Sequence, residues 1–199
     1  MTYKNVYQFK ITLQDISPVI WRRIQVPENY TFWDLHVAIQ DSMGWTDSHL
    51  HAFRLPNPET DEPEEIGIPD DSGFAEIPML AGWEEVIADW FSEENNSANY
   101  NYDFGDDWNH DLVLEKILPK DANTKYPVCL AGERACPPED CGSVPGYERI
   151  CKIIKNPDDE EYAEMMEWLG GEYDPDKFDC KQVVFDNPKK RLKNVLEPY

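Results

Sequence analysis

The stretch Ser48-His49-Leu50-His51-Ala52-Phe53 places two histidines two positions apart in a chain of 199 residues that has four. Side chains alternate along a β-strand, so histidines at i and i+2 share a face. Read as part of a strand over HLHAFRLP, His49 and His51 point the same way, and Phe53 and Leu55 continue their face. In YDFGDDWNH, His110 falls on the apolar side with Trp108 and Leu112. Two imidazoles from one strand and a third from a neighbour make a workable zinc set of His49, His51 and His110. Asp106 or Asp107 would then be a fourth ligand or an orienting partner. The expectation set against this is structural. Histidines on apolar faces are commonly core residues, and Asp103 or Asp106 at the nearby turn offers an acceptor. His36, on an apolar helix stripe, reads the same way.

A second zinc candidate lies in the spacing Cys129-x6-Cys136-x4-Cys141, with Cys151 ten residues on. Thiolates suit a structural zinc in a loop-rich segment. No CxxC pair is present, however, and free cysteine also serves as a small buried hydrophobe. Zinc is therefore the one cofactor that these residue types suggest. Arg22 sits in a strand whose other inward positions are Ile20, Ile24 and Val26. Either it is buried against a carboxylate from Asp103, Asp106, Glu139 or Asp140, or it lies at the strand edge and reaches water. The paired carboxylates of CPPEDCG and YDFGDDWNH suit acid–base work or cation binding, but an acidic composition produces such pairs unaided. A phosphate-binding glycine loop, a nucleophile elbow and a Ser-x-x-Lys motif are all absent.

With 18 basic against 40 acidic residues the net charge is −22. Such a surface repels phosphate backbones and anionic lipid, so neither general nucleic-acid binding nor membrane binding is expected. No apolar run approaches the roughly 20 residues of a membrane span, and MTYKNVYQFK lacks a signal-peptide core. The expected location is cytoplasmic, where five cysteines are not a disulfide framework.

These residues must be held by regular elements. VYQFKITLQD alternates cleanly and VIWRRIQV follows after a turn, which predicts a hairpin. Thr31 caps a helix carrying Phe32, Leu35, Ile39 and Met43, and Gly44 ends it. HLHAFRLP is a third strand. Residues 57–78, acidic and Pro-rich, read as a mobile insertion. Trp83, Val86, Ile87, Trp90 and Phe91 suggest an amphipathic helix, and NYNYDFGDDWNHDLVLEKIL a second hairpin. Residues 119–145 read as loop. Helices follow around Tyr147 to Ile154 and Tyr162 to Leu169, and a last one starts at Pro188. The expected fold is α+β: a mixed β-sheet with a β-grasp-like ββαβ…ββ core in residues 1–118, and a Cys/Pro-rich loop with C-terminal helices in 119–199 packed on it as one unit.

The motifs PVIWRRIQVP, LHVAIQDSMGWTDSHLHAF, YDFGDDWNHDLVLE, YPVCLAGERACPPEDCGSVPGYE and EWLGGEYDPDKFD, in that order, resemble the plasmid pRiA4b ORF-3-like proteins. The resemblance runs from about Tyr7 to Asp179. One departure is Gly142-Ser143, where the pattern usually has two glycines. The resemblance implies no established activity. Some members travel with insertion elements under a resolvase-like label, and others stand beside zinc-binding domains. Neither recombinase pattern is found in this chain. The leading expectation is a non-catalytic binding or adaptor module for a protein or small-molecule partner. Its pocket would be formed by Arg22, His49, His51, Asp103, Asp106, His110, Glu139 and Asp140. The alternative is a metal-dependent hydrolase or nuclease in that pocket, with zinc-activated water and Glu139 or Asp106 as base. An accessory protein of a mobile element comes third.

Overall fold

The structure, a computed structural model, describes residues 2–69 and 79–197. The first hairpin is β1 (Asn5–Leu13) and β2 (Trp21–Pro27), paired antiparallel with Phe9 opposite Ile24 and Ile11 opposite Arg22. Tyr7, Phe9, Ile11 and Leu13 are buried, as the alternation requires. Helix α1 (Phe32–Met43) starts in a capping box: Asp34 N–H donates to the Thr31 hydroxyl, and the Thr31 N–H to the Asp34 carboxylate. Gly44, at φ 94°, ends it in the left-handed region that glycine enters without strain.

Strand β3 (His51–Pro56) follows, then β4 (Pro63–Gly67), β5 (Leu80–Ala81), the single turn α2 (Ile87–Trp90), β6 (Ser97–Tyr102) and β7 (Trp108–Pro119). β8 (Val128–Glu133) is succeeded by α3 (Ser143–Ile154), α4 (Tyr162–Trp168), a 3-10 turn (Cys180–Gln182) and α5 (Pro188–Leu196). The strands form one sheet in the order β5-β4-β3-β6-β7-β1-β2-β8. All pairings among the described residues are antiparallel except the short β4–β5 contact, so the sheet is mixed and the α+β expectation holds. The β-grasp comparison rested on element order alone. The pairing adds no confirmation of it, because β1 and β7 at the sheet centre run antiparallel.

One face of the sheet carries the core. Phe32 of α1 meets Phe53 edge-on at 5.1 Å, and Phe91 meets Phe9 at 5.0 Å. The other face is polar. There Gln25 donates to Gln8, Gln8 donates to Glu115, and Arg23 grips Glu115 through two bonds of 2.6 and 2.7 Å. Helix α5 lies against α1: the Trp33 indole donates to Pro188 O, and Arg191 pairs with Asp41. Among the described residues no helix is long and apolar enough to cross a membrane.

Three expectations need correction. Within 57–78, residues 63–67 are strand β4, which pairs with β3 and buries Ile66 opposite Phe53. The surrounding Glu and Pro conceal a short strand next to the sheet edge, where Glu65 pairs with Arg54 of β3. Residues 70–78 of that expected insertion lie outside the described residues. The segment 83–91 is not an amphipathic helix beyond the turn Ile87–Trp90. Its backbone pairs instead with the chain before α1, where Phe32 N donates to Glu85 O and Ile87 N to Tyr30 O. Residues 128–133 are strand β8 on the edge of β2, not loop. Alternation over so short a run shows only as buried Cys129 beside exposed Leu130.

Candidate functional site

Beyond Gly44 the chain crosses the end of the sheet before entering β3. The Trp45 indole donates to Pro137 O at 2.9 Å, and Ser48 N donates to the Tyr102 hydroxyl at 3.0 Å. Asp47 has φ 60°, a left-handed conformation that Asp tolerates better than most residues. The strand begins only at His51, so His49 is not held to the strand's alternation, and the two histidines part.

His51 goes inward. It is 1% exposed, and its ring stacks on that of His36 at 3.4 Å and 6°. His36 sits in a relay. Gln40 donates to the Tyr100 hydroxyl, Tyr100 shares a 2.8 Å bond with His36 Nδ1, and His36 Nε2 lies 2.7 Å from Asp47 Oδ1. Burial, then the nearby Arg191 charge, hold His36 well below the usual histidine range. The His36–Asp47 contact is therefore a hydrogen bond from a neutral ring, not an ion pair. Neither nitrogen of His51 has a hydrogen-bond partner, so the expected acceptor at Asp103 or Asp106 does not serve it.

His49 goes outward, into acid. Its Nε2 lies 3.0 Å from Asp140 Oδ1, 3.6 Å from Asp103 Oδ2 and 3.9 Å from Glu139 Oε2. The shortest of these contacts is misaligned for a hydrogen bond, which leaves this solvent-shielded nitrogen without a partner. Asp103 and Asp140 both have φ 55° in their turns. The β6–β7 turn brings Asp103 in, tied by its N–H to Leu50 O, and the loop after β8 brings Asp140. Glu139 is held by Thr46 N–H at 2.7 Å, by the Thr46 hydroxyl, and by the Tyr102 hydroxyl at 3.0 Å. Burial, then Glu139, raise the Tyr102 phenol far above its usual range, so it donates. Asp106 Oδ2 accepts the Gly142 N–H at 3.1 Å.

The remaining sequence-predicted residues lie apart from this acidic end. His110 is fully buried between Tyr100 and Trp45; Nδ1 lies 3.2 Å from Tyr100 O and Nε2 is unpartnered. Arg22 is buried and 1% exposed, not at an edge, and among the described residues no carboxylate lies within ion-pair reach of it. It donates to Ser42 O, Trp21 O and Glu133 O at 2.8–2.9 Å, and its guanidinium lies 3.6 Å from the Phe178 ring centre. Backbone carbonyls, one of them at the C-terminal end of α1, take the place of the expected carboxylate. Cys129 and Cys136 are buried, and the Cys136 sulfur lies 3.1 Å from that of Met43. Burial pushes these two thiols up to about 11 and that of Cys141 to about 12, so none is a ready thiolate at neutral pH. Among the described residues, ligand atoms of three His, Cys, Asp or Glu groups lie within 4.8 Å of one another at His49, Asp103 and Asp140 and nowhere else. Neither the thiols nor His49, His51 and His110 form such a group.

The loop carrying Glu139 and Asp140 is seated by Gly146. A Cβ there would fall 1.8 Å from Cys141 O. Gly146→Ala is therefore expected to cost about 1–3 kcal/mol, as overpacking does. Urea unfolding checks it, and an unchanged midpoint would mean that the turn gives way freely.

Beside this loop opens a cleft of about 850 Å³. Trp45, Pro137, Pro138, Trp168, Tyr173 and Phe178 form its apolar wall, and Glu139, Asp140 and Asp179 stand at its rim. Trp168 is 51% exposed and Val184 78%. Sequence reading missed this wall, because its aromatic residues come from segments far apart in the chain. Tyr102, which joins Ser48 to Glu139, was legible only as an inward strand residue.

The sheet, its covering helices and this cleft define an α+β protein with an acid-rimmed groove at one end of the sheet. Residues 5–182 match the plasmid pRiA4b ORF-3-like proteins, and the chain belongs to that family. It is 34% identical over 171 residues to the uncharacterized protein y4hQ of Sinorhizobium fredii, a match covering 85% of this chain and 84% of that one. It is also similar to the crystal structure of a protein of unknown function, MM3350, from Methanosarcina mazei Go1. The TM-score is 0.86 at 47% identity, over 92% of this chain and 100% of that one.

Proposed function

We propose that the protein is a non-catalytic, cytoplasmic binding module that takes a basic segment with apolar flanks, from a partner protein, into the cleft beside Glu139 and Asp140. The observation that carries this reading is the cleft itself, with exposed Trp168 and Val184 beside carboxylates at its rim, Glu139, Asp140 and Asp179, that no Lys or Arg among the described residues neutralises. Its volume falls within the range of ligand sites. A charge of −22 steers cationic ligands toward it and anionic ones away. The hydrolase alternative has less support. Its two candidate bases, Glu139 and Asp106, are occupied as acceptors of hydrogen bonds from Thr46, Tyr102 and Gly142.

The test is a titration of intrinsic tryptophan fluorescence with short synthetic peptides alternating Arg and Leu, against counterparts with Glu in place of Arg. Saturable binding of the basic set alone, weakened at least about tenfold in Trp168→Ala, is the expected result, since aromatic anchors dominate such sites. Equal binding of both sets, or an unaffected variant, would remove the reading.

A further inference from the structure

We infer that His49, Asp103 and Asp140 form a binding site for a divalent metal of the zinc class. Three observations carry it. The first is distance. Metal–donor bonds of about 2.1 Å place neighbouring tetrahedral donors about 3.4 Å apart. From His49 Nε2, the oxygens of Asp140, Asp103 and Glu139 stand at 3.0, 3.6 and 3.9 Å.

The second is the imidazole nitrogen. Nε2 is shielded from solvent, has these oxygens within 4 Å and makes no hydrogen bond. A shielded polar atom without a partner needs one, and an ion held between the nitrogen and the carboxylates would supply it. The third is charge. Among the described residues, no Lys or Arg pairs with Asp103, Glu139 or Asp140; the basic group within reach of all three is His49 itself. A divalent cation would offset their mutual repulsion.

The donor set selects among ions. One imidazole with two or three carboxylates suits zinc and its neighbours better than magnesium or calcium, which favour all-oxygen shells. The ligands come from three segments: the crossing before β3, the β6–β7 turn and the loop after β8. An ion there would tie the loop that rims the cleft to the end of the sheet. The ion site shares Glu139 and Asp140 with the cleft's rim, but the zinc test requires no occupant in the cleft.

The experiment uses the full chain purified without a metal-affinity tag and stripped with chelator. Zinc alone is titrated in by calorimetry, and cobalt(II) in parallel as an optical probe. One zinc per chain is expected, with cobalt bands lacking the intense sulfur-to-metal charge transfer of a thiolate site. His49→Gln and Asp103→Asn should each weaken zinc at least about 100-fold, the upper end of what losing even an outer partner costs. Asp140→Asn replaces a side chain 72% exposed, so it tests the site without burdening the fold, and should weaken zinc likewise. Cys141→Ser should leave binding unchanged. Absence of saturable zinc binding, a thiolate band with cobalt, or parent-like affinity in Asp140→Asn would each overturn the inference. Because the peptide titration is run on metal-free protein, failure of either idea leaves the other standing.

Discussion

Arg22→Ala is expected to lower the free energy of unfolding by about 3–5 kcal/mol, from stranded buried carbonyls and the cavity left by a fully buried side chain. Its guanidinium feeds three carbonyls, those of Ser42, Trp21 and Glu133. Each stranded acceptor costs on the order of 1–3 kcal/mol, less where water can enter. The Phe178 ring over the guanidinium loses its partner as well. These contacts join the C-terminal end of α1, strand β2 and the last residue of β8, so their loss also loosens the root of the loop bearing Glu139 and Asp140. Arg22→Lys should recover only part of the loss, because an ammonium lacks the planar fork that reaches three acceptors at once. Urea midpoints at an unchanged m-value check the result. A loss below about 1 kcal/mol would mean that water satisfies the three carbonyls as well as Arg22 does.

Local signals in the sequence locate those elements whose chemistry is local. Thr31, Asp34 and Gly44 mark both ends of α1 because capping is settled within a few residues. The first hairpin follows from alternation, and so does the inward side of β7, where Trp108, His110, Leu112 and Leu114 are all buried. Strands β4 and β8 escaped because their residues pair at long range, while Glu, Pro and Gly dominate the composition of β4 and β8 alternates only over a short run. The site was half legible for the same reason. His49, Asp103 and Asp140 each stand out as residue types. Their meeting depends on where β3 begins, and the strand expected from His49 onward put His49 on the wrong side of that boundary. Asp47, Asp103 and Asp140 turn the chain in the left-handed region, which a run of acidic residues does not announce. Arg22 shared the inward positions of its strand, yet its partners are backbone oxygens, and no residue type in the sequence encodes those.

Stability should be greatest above about pH 6.5 and decline below it, before most carboxylates titrate. The cause is the buried histidines His36, His51 and His110. Burial depresses all three, to well below the usual range for His36 and His51 and to about 4 for His110. As pH falls past the unfolded value, the unfolded chain takes protons that the folded chain refuses. The stability they confer is therefore whole above about 6.5 and is lost as pH falls through the folded values. The depression at His110 corresponds to a loss on the order of 3 kcal/mol once pH has fallen to about 4. The groups facing His36 are Tyr100, Asp47, the stacked ring of His51, and Arg191, whose charge adds to the depression. Those facing His110 are Tyr100, Trp45 and the Arg22 charge, which acts in the same direction. Asp47 works the other way, because burial raises its carboxyl and the folded state then takes a proton more readily at low pH. The carboxylates held below their usual range, Glu28 and Glu115, lose their contribution only at still lower pH. In the interval from about pH 6.5 to 5 the loss from the histidines thus precedes that from the depressed carboxylates. Urea midpoints measured across it should fall steadily in the parent and less steeply in His110→Gln, which removes one of the groups responsible. A flat profile across that interval, or the same slope in the variant, would place the acid sensitivity elsewhere in the fold.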